Sequence, residues 1–254
     1  MALYLGIDIG STTSKAVLLD QEKRIVRTAI RPTGVGSRSV AQDLKAEILR
    51  EEAGAEPVRV VATGYGRALV DYADRTITEI TCHGRGVRFL HPDAAMILDI
   101  GGQDSKVIRL DEAGRVEDFG MNDRCAAGTG SFLDVIARRF DLDLKTLADI
   151  HTLDPTPFEI SSTCVVFAET EVVSLLSQGH DLNDILAGVQ RAVARRVVTL
   201  VRHVGFTHPI YFSGGVAQNE TIRREIQTAL GVSMPRARYA QYTAALGAAL
   251  LAGE

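Results

Sequence analysis

DIGSTTSKAVLLDQEKRIV, residues 8–26, and DIGGQDSKVIRLDEAGRVE, residues 99–117, align without a gap at an offset of 91 residues. Eight of the nineteen positions are identical: Asp, Ile, Gly, Ser, Lys, Leu, Asp and Arg recur in register. Gly, Ser, Asp and Lys are common in any polar turn, but identity in register over this length points to two copies of one unit. In each copy an apolar run ends on an acid and a glycine, a short polar turn follows, and a second apolar run returns. That pattern predicts a hairpin. In the first copy the strands are Leu3 to Ile9 and Lys15 to Leu19, joined by Gly10, Ser11, Thr12 and Thr13.

Outward from the first hairpin, Ile25 to Ile30 reads as a third strand, and Ser37 to Glu52 as an amphipathic helix stopped by Gly54. Val58 to Ala62 is a β-branched run, and a helix from about Ile80 to Leu90 closes at His91-Pro92. Strands alternating with helices predict an α/β fold. The boundary at His91-Pro92 divides the chain into residues 1–93 and 94–254, each opening on one hairpin copy.

Composition sets the class. The 254 residues are 46% hydrophobic and 24% charged, which describes a globular chain able to bury a core. A net charge of -4 gives no field that would recruit nucleic acid or an acidic membrane surface. MALYLGIDIG has no basic segment leading into a long apolar stretch, and Ala244 to Ala252 is too short to span a bilayer, so a cytoplasmic protein is expected. Cys82, Cys125 and Cys164 are odd in number and far apart, as reduced thiols are.

The hairpin turns carry chemistry. Small residues and hydroxyls with several unpaired backbone N–H groups make a concave anion site, and two such turns facing each other would clamp a polyphosphate. Asp8 and Asp99 each precede a turn glycine and are placed to hold a hydrated Mg²⁺. Lys15 and Lys106 on the returning strands are either phosphate contacts or solvated strand lysines. A third turn, FSGGVAQN at 212–219, follows a strand at Pro209 to Phe212 and leads to a helix from Asn219 to Leu230. A strand, two glycines and a helix N-terminus suit a nucleotide's phosphate or ribose. GxGxxG and GxxxxGK[ST] in their required contexts are absent from the sequence.

Together the three turns resemble the phosphate-1, phosphate-2 and adenosine motifs of the actin, sugar-kinase and heat-shock-chaperone ATPase superfamily. The resemblance implies two duplicated ribonuclease-H-like domains, with ALGAALLAG at 245–253 as a closing connecting helix. The implied nucleotide contacts are Gly10, Ser11, Thr12, Thr13, Ser14 and Lys15, then Gly101 and Gly102, then Gly214, Gly215, Gln218 and Gln241. The same superfamily contains kinases, chaperones and filament formers, so these motifs leave function open.

The cysteines narrow it. Cys125 leads into Ala126-Ala127-Gly128-Thr129-Gly130 and an amphipathic segment in which Phe132, Ile136 and Phe140 recur at helical spacing. Cys164 follows Ser161-Ser162-Thr163, good N-cap types, and leads into a helical pattern from Val165 to Leu176. Both thiols are therefore expected at helix starts, where the dipole favours thiolate, the form that ligates metal. The alternative is the common fate of a free cysteine as a small buried apolar residue. An iron-sulfur cluster takes four protein ligands as a rule, and two thiols 39 residues apart could supply four through a C2 dimer. Cys82 in TCHGRG is expected in the core, and His83, His91, His180 and His203 show no metal-ligand spacing.

GIDIGSTTSK, VATGYGR, ILDIGGQDSK, MNDRCAAGTGSFLD, SSTCVVFAETEVVSLL and FSGGVAQN, in this order, resemble the ATP-dependent activators of 2-hydroxyacyl-CoA dehydratases and the related ATPase subunits of benzoyl-CoA reductases. That resemblance implies a homodimer sharing one 4Fe-4S cluster through Cys125 and Cys164, with ATP or ADP and Mg²⁺ in each subunit. It also implies a dehydratase-type or double-cubane iron-sulfur protein as electron acceptor, and ferredoxin or flavodoxin as donor. Asp8 and Asp99 would organise Mg²⁺, and either Gln103 or Asp104 would orient the attacking water. A small-molecule kinase using Asp99 or Asp104 as base, or a regulatory ATPase, would leave both helix-start cysteines unexplained. Arg138, Arg139, Arg195 and Arg196 are either a docking surface or solvated helix faces.

Overall fold

The computed structural model describes residues 2–50, 59–161 and 164–254. Five strands, β1 (Leu3–Ile9), β2 (Thr13–Asp20), β3 (Ile25–Pro32), β4 (Arg59–Thr63) and β5 (Arg75–Thr76), form one sheet in the order β3-β2-β1-β4-β5. β1, β2 and β3 are antiparallel neighbours, while β4 lies parallel to β1 and β5 parallel to β4. The register sets Asp8 opposite Lys15 on one side and opposite Thr63 on the other. β1 is central, so almost every residue of it is buried.

Alternation along the strands assigns the two faces. Leu3, Leu5, Ile7 and Ile9 share a core with Ala41, Leu44 and Ile48 of α1 (Ser37–Ile48). Val17 and Leu19 of β2 pack instead on Ala245, Leu246, Ala249 and Leu250 of α8 (Thr243–Ala252). α2 (Glu79–Leu90) lies against α8 with backbone nearly touching backbone: any Cβ on Gly247 would overlap the Cys82 carbonyl. Small residues in ALGAALLAG permit that approach, and a larger one would force the helices apart.

A second sheet contains β6 (Met96–Ile100), β7 (Ser105–Leu110), β8 (Val116–Asn122) and β9 (Ile210–Ser213) in the order β8-β7-β6-β9. This repeats the order of the first four sites of the other sheet, so the duplication read from the hairpins extends to strand topology. Among the described residues the second sheet has no fifth strand. The remaining α-helices are α3 (Gly130–Arg139), α4 (Leu144–Ala148), α5 (Val165–Ser177), α6 (Leu182–Val204) and α7 (Glu220–Leu230). α6 is the longest; Asp181 caps it through the Asn183 and Asp184 N–H groups, and Gly205 at φ 94° ends it.

Two compact units are distinguished. One comprises Met1–Ile97, Ile108–Phe119 and Arg238–Glu254, the other Leu98–Val107 and Gly120–Ala237. A single cut after residue 93 differs from this division in residues 94–97, 108–119 and 238–254; the last stretch carries α8, whose small-residue face packs on β2 and α2 of the first unit. The helix expected over Ser37 to Glu52 ends at Ile48. Gly54 and Val58 lie outside the described residues, as do Ser162 and Thr163. No helix among the described residues is long and apolar enough to cross a membrane.

Candidate functional site

The first hairpin turn is braced from within its own unit. Thr33, at the end of β3, donates its hydroxyl to the Gly10 carbonyl at 2.8 Å, and its backbone N–H reaches the Thr12 carbonyl at 2.9 Å. The same hydroxyl meets Ser14 Oγ at 2.8 Å. Ser14, expected to touch nucleotide, is fully buried and secures the hairpin instead. Gly10, Ser11 and Thr13 are half-buried and Thr12 is exposed. Lys15 Nζ stands 3.4 Å from Asp8 Oδ2, so its charge is paired rather than merely solvated. Gly64 in VATGYGR has φ +86°, and a Cβ there would overlap Asp8 Oδ1. Only glycine fits both the left-handed backbone and the contact.

The second hairpin is more deeply buried. Lys106 Nζ lies 2.7 Å from Asp104 Oδ2 and 3.5 Å from Asp99 Oδ2, with all three side chains at most 6% exposed. Solvation, one of the two options open for Lys106, is thereby excluded. Two carboxylates and one ammonium leave these side chains with a net negative charge, a setting suited to an oxygen-ligated cation such as Mg²⁺. Ser213 Oγ, on β9, donates to Asp99 Oδ1 at 2.8 Å, which ties the third motif to the second. Gly214 comes so close to Ile100 that a Cβ would overlap its carbonyl oxygen. Gln103 is exposed at the turn, whereas Asp104 is buried.

The third motif follows the expected order of strand, glycine turn and helix. After Gly214 the chain makes one 3₁₀ turn, Gly215–Gln218, before α7 begins. Asn219 caps α7, its Oδ1 accepting from the Ile222 N–H at 2.9 Å, so the helix N-terminus is closed by its own chain. Gly215 and Gln218 are exposed on the 3₁₀ turn. Gln241 is half-buried just before α8, in the other unit from Gly214, Gly215 and Gln218. Glu220, in the first turn of α7, is paired with Arg223, with Arg224 at 3.1 Å and with Arg236 at 3.2 Å. Burial pushes its pKa up, but hydrogen bonds from these three arginines overcome that and hold it down at about 2.

The cysteines sort as the sequence suggested, with one correction. Cys164 occupies the N-cap position of α5 and is exposed. Cys125 is half-buried and does not adjoin an α-helix: it opens a single 3₁₀ turn, Ala126–Gly128, and Thr129 holds the N-cap position of α3. The Ala-Gly content that looked like a helix start is a tight turn, closed by Thr129 Oγ1 donating to the Ala126 carbonyl at 2.8 Å. Cys82 is fully buried, and burial pushes its thiol up to about 12. It is a core residue. His83 is buried beside Thr243 Oγ1 at 2.9 Å and Glu79 Oε1 at 3.4 Å.

Several supporting residues carried no signal in the sequence. Gly130 N–H donates to the Gly101 carbonyl at 2.9 Å, and Ser131 donates to the Gly102 carbonyl from its N–H at 2.7 Å and its hydroxyl at 2.5 Å. The first turn of α3, just downstream of the turn that Cys125 opens, is therefore bonded directly to the Gly101-Gly102 turn. Thr33, Ser131 and Ser213 act through partners distant in sequence, which a local pattern cannot reveal. Cys125 and Cys164 are not enclosed in the core as Cys82 is, so each thiol could serve as a metal ligand.

Residues 5–252 match the BadF/BadG/BcrA/BcrD ATPase family. The chain is 43% identical over 258 residues to the (R)-2-hydroxyglutaryl-CoA dehydratase activating ATPase of Acidaminococcus fermentans, covering 99% of this chain and 98% of that one. A solved structure of the activator of the 2-hydroxyisocaproyl-CoA dehydratase from Clostridium difficile, with bound ADPNP, superposes with a TM-score of 0.93. Its identity to this chain is 42%, and the match covers 99% of this chain and 94% of that one. A glucokinase of the ROK family from Streptomyces griseus shares the fold at a TM-score of 0.60 and 14% identity, covering 99% of both chains. The fold is thus the actin and sugar-kinase ATPase fold implied by the resemblance of the three turns, and the chain belongs to the BadF/BadG/BcrA/BcrD ATPase family.

Proposed function

We propose that this protein is an ATP-driven electron activator. Two copies would share one 4Fe-4S cluster through Cys125 and Cys164 of each, accept an electron from ferredoxin or flavodoxin, and pass it at low potential to a 2-hydroxyacyl-CoA dehydratase or a related double-cubane iron-sulfur protein. The observation that carries the reading is the bonding of the start of α3, five residues after Cys125, to the Gly101-Gly102 turn through Gly130 and Ser131. A change in that turn on ATP hydrolysis has a short covalent and hydrogen-bonded route to Cys125. The names of the dehydratase activators among its relatives support the acceptor class.

Each residue then has a task. Asp8 and Asp99 bind Mg²⁺, and Lys106 keeps the Asp99 and Asp104 carboxylates compatible in one buried place. Gln103, exposed on the turn, orients the attacking water, since Asp104 is engaged by Lys106. Gly10 to Thr13, Lys15, Gly101, Gly102 and the Gly214 to Gln218 turn contact ATP, with Gln241 near the nucleotide. When bound, the cluster supplies a one-electron carrier and Mg²⁺ neutralises phosphate oxygens. Val166 and Phe167, 66% and 69% exposed next to Cys164, form the apolar part of the subunit contact. Thiolate ligands of this kind belong in a reducing compartment, the cytoplasm.

Oxygen-free purification tests the proposal. A brown dimer containing four iron and four sulfide, losing both colour and iron in Cys125→Ser while still binding ATP, is the expected result. Release of ADP without a phosphorylated acceptor separates it from a kinase. A wild-type preparation without iron that retains ATP-dependent activation of a dehydratase would reject it.

A further inference from the structure

Arg195 and Arg196 are adjacent on α6 yet serve different partners. Arg195 turns outward to Glu159, while Arg196 Nη1 points to Cys125 Sγ at 3.4 Å. The loop around Cys125 is fixed against the same arginine. Asn122 Nδ2 donates to the Cys125 carbonyl at 2.9 Å, and a Cβ on Gly128 would stand 3.1 Å from Asn122 Nδ2 and 3.7 Å from Arg196 Cβ. Cys125 is thus held at its carbonyl by one side chain and at its sulfur by another. α6, buried at Val193, Ala194, Val197 and Val198 on either side of Arg196, gives that side chain a rigid base.

We infer that Arg196 is a positioning residue for the metal-cluster site, orienting Cys125 Sγ and placing a fixed positive charge beside it. The inference rests on the proposed function, in which Cys125 is a cluster ligand. Adding an electron to a cluster increases negative charge on its sulfurs, so a cationic N–H donor favours the reduced form. Arg196 therefore sets how reducing the bound centre is. Its nearest relatives in chemistry are outer donors that tune metal sites without touching metal.

Arg196→Met and Arg196→Lys test this, with Arg195→Met as control, in anaerobic redox titration followed by EPR and by iron content. In Arg196→Met the reduced-to-oxidised ratio at a fixed potential should fall about tenfold, which for one electron is about 59 mV. Arg196→Lys should recover part of that change, and Arg195→Met should match wild type. If Arg196→Met loses its iron, recovery of iron in Arg196→Lys supports the charge role, whereas loss in both variants overturns it. An unchanged midpoint in a fully loaded Arg196→Met, or an equal shift in Arg195→Met, overturns it as well. Iron-free wild-type protein would instead strike at the proposed function.

Discussion

Gln103 and Asp104 are adjacent and both polar, and nothing in the turn sequence separates them. Burial does, because Asp104 is locked to Lys106 while Gln103 faces solvent. Gln103→Ala should lower ATPase kcat by roughly 100-fold with little change in KM for ATP, the pattern of a lost water-orienting group. Asp104→Asn should act more through stability, seen as an earlier urea midpoint. Lys106→Met leaves two buried carboxylates facing each other without their cation and should destabilise the chain by about 3–5 kcal/mol. A loss below about 0.5 kcal/mol in chemical denaturation would mean that the buried Lys106 charge does not hold these carboxylates together. At this scale the sequence was legible for identity and not for state. The hairpin copies named Asp8, Asp99, Lys15 and Lys106, but a two-residue alternation cannot say which lysine is enclosed. Ser14 shows the limit from the other side: its place in a phosphate-binding turn suggested a ligand contact, and its hydroxyl went to Thr33.

Elements were easiest to read where an apolar period was bounded by strong stops. β1, α2 and β9 were anticipated to within a residue or two, because each combines a clear period with a Gly, Pro or capping boundary. The 3₁₀ turn at Ala126–Gly128 was not, since three small residues carry no periodicity and look like the first turn of the helix that follows. α7 offers a test of how such an element is secured. Glu220 carries three arginines, two from α7 and Arg236 beyond it. Its pKa is about 2, against an ordinary 4.5, so its contribution is fully present above about pH 4.5 and is lost as pH falls toward 2. Glu220→Gln should cost about 1–3 kcal/mol at neutral pH. Urea midpoints of wild type and variant, measured from pH 6 downward, should draw together as pH falls from about 4.5 toward 2. A gap that stays constant with pH would show that the arginines do not depend on this carboxylate's charge.

For the whole molecule, dimer and cluster should stand or fall together. Under the proposed function each chain would offer two thiols where a cubane takes four, so a second copy would be a ligand donor rather than an accessory. α5 is the element on which this can be tried without touching a cysteine. It begins at Cys164, buries only Ala168 and Val172, and leaves Val166 and Phe167 largely exposed. In the proposed dimer, two bulky apolar residues exposed beside a thiol would be covered by a two-fold contact, because each patch would meet its own copy. Phe167→Glu would set like charges near each other across the axis. The expected result under nitrogen is a shift in light-scattering mass from dimer to monomer, with iron lost in the same samples and ATP affinity held within about threefold of wild type. Loss of iron from a persisting dimer would place α5 at the cluster but not at the contact. A persisting, iron-loaded dimer would mean that Val166 and Phe167 are not part of the contact between the copies.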